Sequence, residues 1–375
     1  MGVWAYLLVF GAPSTTDDVF ANLGSGGGVV EEGEMLPPVV VEEVPLVNVA
    51  ASRLRQLTTS PVAGFKEVMI STTTPALLYY VEMGTGHVYT INTASGESIR
   101  VSATTFPQTV DADISKDGRY YAFRSASASK SAPLTVGTLS TSTVSITRSY
   151  EGTALDVAFN DQNELYILNR DGDTSSAVTY SLQSNSSAPL FTLPFLEATV
   201  DWGSTKSGPH LVYPKPATSL EGQLYRVEGN SFIRLPIQGL GLTAIQSGNK
   251  ILYNVIKNQR LQSYFFINSI KVSESLDSPV LVEKCIGVAD EGVFICAQDG
   301  SKTNLRNQDT WYTGELIFSD SVWILDSNSF TGELLFNSFE ETGRTLDIIK
   351  LGLNQTGEVL YFINKLDNTL WMYEL

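Results

Sequence analysis

Two cysteines, two histidines and a scatter of aspartates are the side chains of this sequence that could do chemistry. Cys285 and Cys296 flank Ile-Gly-Val-Ala-Asp-Glu-Gly-Val-Phe-Ile, which reads as strand, turn, strand. A hairpin centred between Asp290 and Glu291 sets the two cysteines opposite each other, within the Cα range that a disulfide tolerates. Such a bond belongs to an oxidising compartment; a reduced, buried pair is the alternative. His87 and His210 have no second ligand at i+2 or i+4, so structural or surface roles are expected and no metal or cofactor site is assigned. Asp171-Gly172-Asp173 and Asp299-Gly300 lack the acidic spacing of a calcium loop and read as turns. No Gly-x-Ser-x-Gly elbow occurs, which argues against a serine hydrolase of that design.

Five further aspartates, Asp111, Asp113, Asp156, Asp201 and Asp347, fall on or just before the strands expected to lie innermost. Two carboxylates about 5–10 Å apart across a funnel would suit glycoside hydrolysis. Satisfying backbone amides is their plainer use, and no catalytic residue is assigned. Arg306, Trp311 and Tyr312, within an insertion at about 299–315, are the residue types that most often anchor interfaces, and the two aromatics could equally cap their own unit.

The elements that must position these residues are strands. Of 375 residues, 43% are hydrophobic and 17% charged, enough to bury a large single core. From residue 52 onward short β runs alternate with Gly, Asn, Asp and Ser turns, with hardly a helical period. An apolar run recurs at Leu78, Tyr121, Tyr166, Val212, Leu252, Phe294 and Leu360, at steps of 43, 45, 46, 40, 42 and 66 residues. A period in the low forties with four strands to a unit is the spacing of a β-propeller, and the long step reflects the insertion. The expectation is therefore an all-β, seven-bladed propeller over 52–375. The last unit lacks a strand, and Ser52–Thr58 is expected to supply it by pairing with Trp371–Tyr373, removing two open sheet edges.

The remaining segments read differently. Residues 2–10 are an apolar run about half the length of a spanning helix, read as the outer part of a membrane anchor over 1–11. Residues 12–51 are rich in Gly, Pro, Glu and Val and read as a flexible acidic linker. Residues 1–50 carry seven acidic side chains and no Lys or Arg, which leaves −9 of the formal charge of −16 for the rest. A chain this acidic is a poor match for nucleic acid, whose phosphates are met by clustered cations.

Ser115-Lys116-Asp117-Gly118-Arg119-Tyr120-Tyr121-Ala122-Phe123 resembles the blade signature of TolB-type and WD-type propellers, with an Asp-Gly turn joining the first two strands. A wider resemblance, to an uncharacterised family of membrane-anchored propellers of candidate-phyla bacteria, runs through Arg53–Phe65, Thr85–Tyr89, Phe318–Trp323 and Phe362–Trp371. It implies a single anchor and a site in the cell envelope, outside the cytoplasm, and carries no activity with it. Two function classes stay open. One is a tethered binding or scaffold module that is not an enzyme and meets a protein or surface polymer through its loops; the other is an extracytoplasmic glycosidase or lyase with channel carboxylates.

Overall fold

The computed structural model describes residues 52–69, 76–126, 133–140, 143–150, 153–203, 209–229, 231–288, 292–300 and 308–375. The expected anchor (1–11) and linker (12–51), the tip of the Cys hairpin and Arg306 lie outside these residues. Among the described residues no helix is long and apolar enough to cross a membrane.

The described strands form antiparallel sheets that succeed one another along the chain. Five sheets have four strands, spanning 62–100, 109–150, 153–193, 285–337 and, with Leu54–Gln56 added, 348–374, and a sixth with seven strands spans 198–275. Every one of the recurrent apolar runs is the second strand of its four-stranded group, counting the seven-stranded sheet as two groups that share a strand. The reason is burial on both faces. Lys250–Lys257 and Val359–Asn364 are buried along nearly their whole length, whereas the fourth strands Ser98–Arg100 and Val272–Ser275 are exposed throughout. A strand packed on both faces needs a continuous apolar run, and an outer strand does not.

The shared strand, Ser231–Ser247, pairs with Glu221–Glu228 through its first part and with Lys250–Lys257 through its second. Its register shifts between Leu240 and Thr243, at Gly241, which has a left-handed φ of 60°. A Cβ on Gly241 would lie 2.6 Å from the Gln308 amide nitrogen, so only glycine fits this bend.

Each sheet packs on the next through its own apolar cluster. The sheet 62–100 meets 109–150 through Val81, Phe106, Ala112 and Phe123, and 153–193 meets 198–275 through Leu168, Phe191, Trp202 and Val212. The last sheet touches both neighbours: Phe336 packs with Phe362 and Tyr373 on one side, and Leu78 and Tyr80 with Tyr361 and Met372 on the other. The order therefore closes on itself.

Closure uses the strand expected to provide it, in a shorter form. Leu54–Gln56 pairs with the last strand in the register Leu54↔Tyr373, Arg55↔Met372 and Gln56↔Trp371. Leu54 is 2% exposed, which stabilises the pairing by about 2 kcal/mol. Arg55 pairs with Glu374 at 2.9 Å, the Arg53 guanidinium lies 4.9 Å from the centroid of the Tyr373 ring, and Thr58 Oγ1 accepts the Leu370 N–H.

Candidate interaction face

In an antiparallel unit the starts of the first and third strands and the ends of the second and fourth lie at one edge. The insertion follows the second strand Val293–Asp299, so it emerges on that edge. Its described part begins at Gln308 and contains one helical turn, Asp309–Tyr312.

That turn is tied to several units. Asp309 accepts the Thr218 N–H at 3.0 Å, the Gln308 amide donates to the Gly241 carbonyl at 3.0 Å, and the Tyr312 hydroxyl donates to the Glu283 carboxylate. The Lys365 ammonium donates to the Trp311 carbonyl and stands 3.9 Å from the centroid of its ring.

Below the turn lies a knot of buried charge. Lys284, just before the first strand of its unit, donates to Asp320 and Asp347 at 2.6 Å each, with all three side chains at most 1% exposed. The Trp311 indole donates to Asp347 at 3.0 Å, and the Ile348 amide donates to Asp320 at 2.6 Å. The Lys284 ammonium lies 4.5 Å from the Phe318 ring centroid, where the ring quadrupole favours a cation. Burial raises the pKa of Asp320 to about 6 although Lys284 opposes it, and burial lowers that of Lys365 against the pull of Asp347. The knot holds two cations and two carboxylates, so its charges balance.

Trp311 is 5% exposed, its indole used within the molecule, while Tyr312 and Ile317 are 37% and 54% exposed. Leu220 and Leu366, on loops the insertion touches, are also exposed. Cys285 and Cys296 face each other in the register and are disulfide-bonded. His210 is buried, packed edge-on against Trp202 and Tyr166, and burial lowers its pKa.

All five inner aspartates are engaged. Asp113 accepts the Phe159 amide at 2.7 Å and Asp201 accepts those of Gly203 and Gln246 at 3.0 and 2.8 Å, each reaching the following unit. Asp156 accepts the Trp202 indole N–H at 2.8 Å, and Asp347 belongs to the knot. Asp111 pairs with Arg124 at 2.7 Å and with Lys350 at 2.5 Å; Lys350, at a left-handed φ of 49°, also donates to the Ala63 carbonyl. Burial works against the charge on Asp111, yet Lys350 and then Arg124 outweigh it and hold its pKa at about 2. Burial raises those of Asp156 and Asp201, the latter to about 6. Among the described residues no group of three or more His, Cys, Asp or Glu is placed to hold a metal ion.

Lys284, Asp320 and Gln308 were not singled out in the sequence. A buried lysine has no local signature, and its partners lie 36 and 63 residues away.

No protein-family profile and no curated protein matches the sequence. Solved structures do resemble it in fold. The β-propeller domain of the Trilobed protease from Pyrococcus furiosus, described as having an open velcro topology, is 13% identical with a TM-score of 0.54, over 84% of this chain and 95% of that one. Oligogalacturonate lyase from Vibrio parahaemolyticus is 8% identical with a TM-score of 0.54, over 87% and 94%. The RRP9 WD40 repeats are 10% identical with a TM-score of 0.54, over 87% and 98%. At such identities the likeness speaks for architecture alone. Taken with the closed succession of antiparallel sheets, it makes this chain a β-propeller.

Proposed function

We propose that this chain is a seven-bladed binding or scaffold propeller whose insertion-bearing face meets a macromolecular partner. The count takes the seven-stranded sheet as two blades fused on a shared strand. The observation that carries the reading is the engagement of the inner aspartates: each is spent on an amide, an indole or an ion pair, which favours a rigid frame over channel chemistry. Tyr312, Ile317, Leu220 and Leu366 expose apolar surface around the insertion, the composition of an interface centre. In this reading Tyr312 and Arg306 contact the partner, and Trp311 fixes the helical turn Asp309–Tyr312. Residues 1–51 tether the ring at the envelope surface, and the cysteine pair suits an oxidising compartment.

The test is crosslinking of the full chain in its own cells, comparing the wild type with Arg306→Ala plus Tyr312→Ala. Loss of the captured partner with an unchanged melting temperature supports the reading. Unchanged capture by the folded double variant places the interface elsewhere.

A further inference from the structure

A second group of reactive side chains lies on the same edge of the ring, two units from the insertion in the closed order. The turn between Leu77–Glu82 and Val88–Ile91 meets the segment that leads from Ser98–Arg100 into Thr109–Ile114. Backbone bonds hold the two together: Phe106 N–H donates to the Thr85 carbonyl at 2.8 Å, Gly84 to Thr109 at 2.7 Å and Gln108 to Gly84 at 2.8 Å. Phe106 is 7% exposed and stacks on Phe123 with ring centroids 4.2 Å apart, which fixes the segment from below. Gly86, at φ 67°, sits so close that a Cβ would lie 2.7 Å from that of Phe106.

This frame aligns three side chains. His87 Nε2 is 2.9 Å from Thr105 Oγ1, and its other ring nitrogen, Nδ1, is 3.5 Å from Glu82 Oε2. Glu82 Oε2 also accepts the Thr85 hydroxyl at 2.5 Å, which orients the carboxylate. Exposure follows the order a nucleophile and its base require: Thr105 is exposed, while the His87 and Glu82 side chains are 14% and 20% exposed. We propose that Thr105, His87 and Glu82 form a hydroxyl–imidazole–carboxylate relay that transfers a short acyl group from an ester presented at this face.

The roles follow from the geometry. Glu82 holds the ring proton on Nδ1, leaving the Nε2 lone pair to accept the Thr105 proton. Thr105 Oγ then bonds to the ester carbonyl carbon, whose π electrons move onto the carbonyl oxygen. The Thr105 N–H is assigned as the donor to that oxygen. Collapse breaks the bond to the alcohol oxygen, which takes the proton from His87 Nε2 and departs. Water repeats the sequence on the acyl-threonine, giving its proton to His87 and its oxygen to the acid, and Thr105 recovers its hydroxyl proton. The threonine methyl crowds the attacking oxygen, which restricts the acyl group to short ones, and an exposed nucleophile suits an ester carried on a surface. The 3.5 Å step to Glu82 is expected to shorten once the ring gains charge, as hydrogen bonds in resting sites often do. This activity is separate from the partner-binding reading and does not use its residues.

The probe is p-nitrophenyl acetate with the full chain. The relay predicts hydrolysis with an initial burst and an acetyl group on the peptide containing Thr105. His87→Ala and Thr105→Val should lower the rate about a hundredfold or more. Thr105→Ser, which keeps the hydroxyl and removes the methyl, should retain activity and accept longer acyl chains. Thr105 is exposed, so its variants are expected to fold, and melting temperatures verify this. Hydrolysis by the wild type no faster than by His87→Ala, or an acetyl group found only on lysines, overturns the proposal.

Discussion

Two charge clusters bind units of this ring together, one around Lys284 and one around Asp111, and they do so from different depths. Lys284, Asp320 and Asp347 are at most 1% exposed, whereas the side chains of Asp111, Arg124 and Lys350 are 20%, 22% and 43% exposed. Their ion-pair distances are alike, at 2.5–2.7 Å. The depth shows in the carboxylates: Asp111 keeps its charge down to about pH 2, while Asp320 is raised to about 6 beside an equally close cation. Desolvation therefore decides what the same contact does. At the inner rim the pairs favour the ionised form, and under the insertion the pairs make a costly burial tolerable.

The largest expected effect that separates the two is Lys284→Met. It fills the space but leaves two carboxylates buried without their cation, and should lower stability by about 3–5 kcal/mol, read as a shift in the urea midpoint. Adding Asp320→Asn and Asp347→Asn should restore a substantial part. A loss under about 1 kcal/mol for the single variant would mean that depth does not distinguish the clusters.

Lys350→Met is the matching change at the rim. Asp111 keeps Arg124 and solvent, so the loss should be about 1 kcal/mol or less and should shrink further in high salt. An effect as large as that of Lys284→Met would overturn the ranking.

The dependence on pH also separates the clusters, which pull in opposite directions. Asp320 titrates at about 6 when folded against 3.8 ordinarily. The folded state thus holds the extra proton between these values, and stability rises as pH falls through that window. Asp111 titrates at about 2 when folded against 3.8 ordinarily. Its contribution, roughly 2 kcal/mol, is complete above 3.8 and is lost as pH falls toward 2. Urea midpoints should therefore peak near pH 4–5. Asp320→Asn should lessen the slope on the neutral side, which Asp201 shares, and Asp111→Asn that on the acid side; a curve unchanged by both would remove these carboxylates from the account.

The strand framework was legible because burial on two faces forces continuous apolar runs. Leu78, Tyr121 and their counterparts mark it without reference to anything distant. The closing strand was legible for a related reason, since a last unit ending at Trp371–Tyr373 lacks a partner that Leu54–Gln56 can supply. The charge clusters were not legible. Lys284 looks like any lysine until Asp320 and Asp347 are brought beside it, and Thr105 gains meaning only once the turn delivers His87. Trp311 shows the same limit from the other side: its residue type suits an interface or a core, and only the position of Asp347 decides which its indole serves. Gly239-Leu240-Gly241 has the composition of a break, yet the chain bends there without leaving its strand.

The strand Ser231–Ser247 has a consequence for any attempt to divide the molecule. Elsewhere the polypeptide crosses from sheet to sheet through segments outside the ladders, such as 194–196, where new termini would sever no strand pairing. Between the halves of the 198–275 sheet there is no such segment. A cut at Gly241 would free both pieces of one strand at once, and neither fragment would bring an intact edge to the reunion. Circular permutants and two-fragment reporters of this protein should be opened at 194–196 and kept away from Gly241.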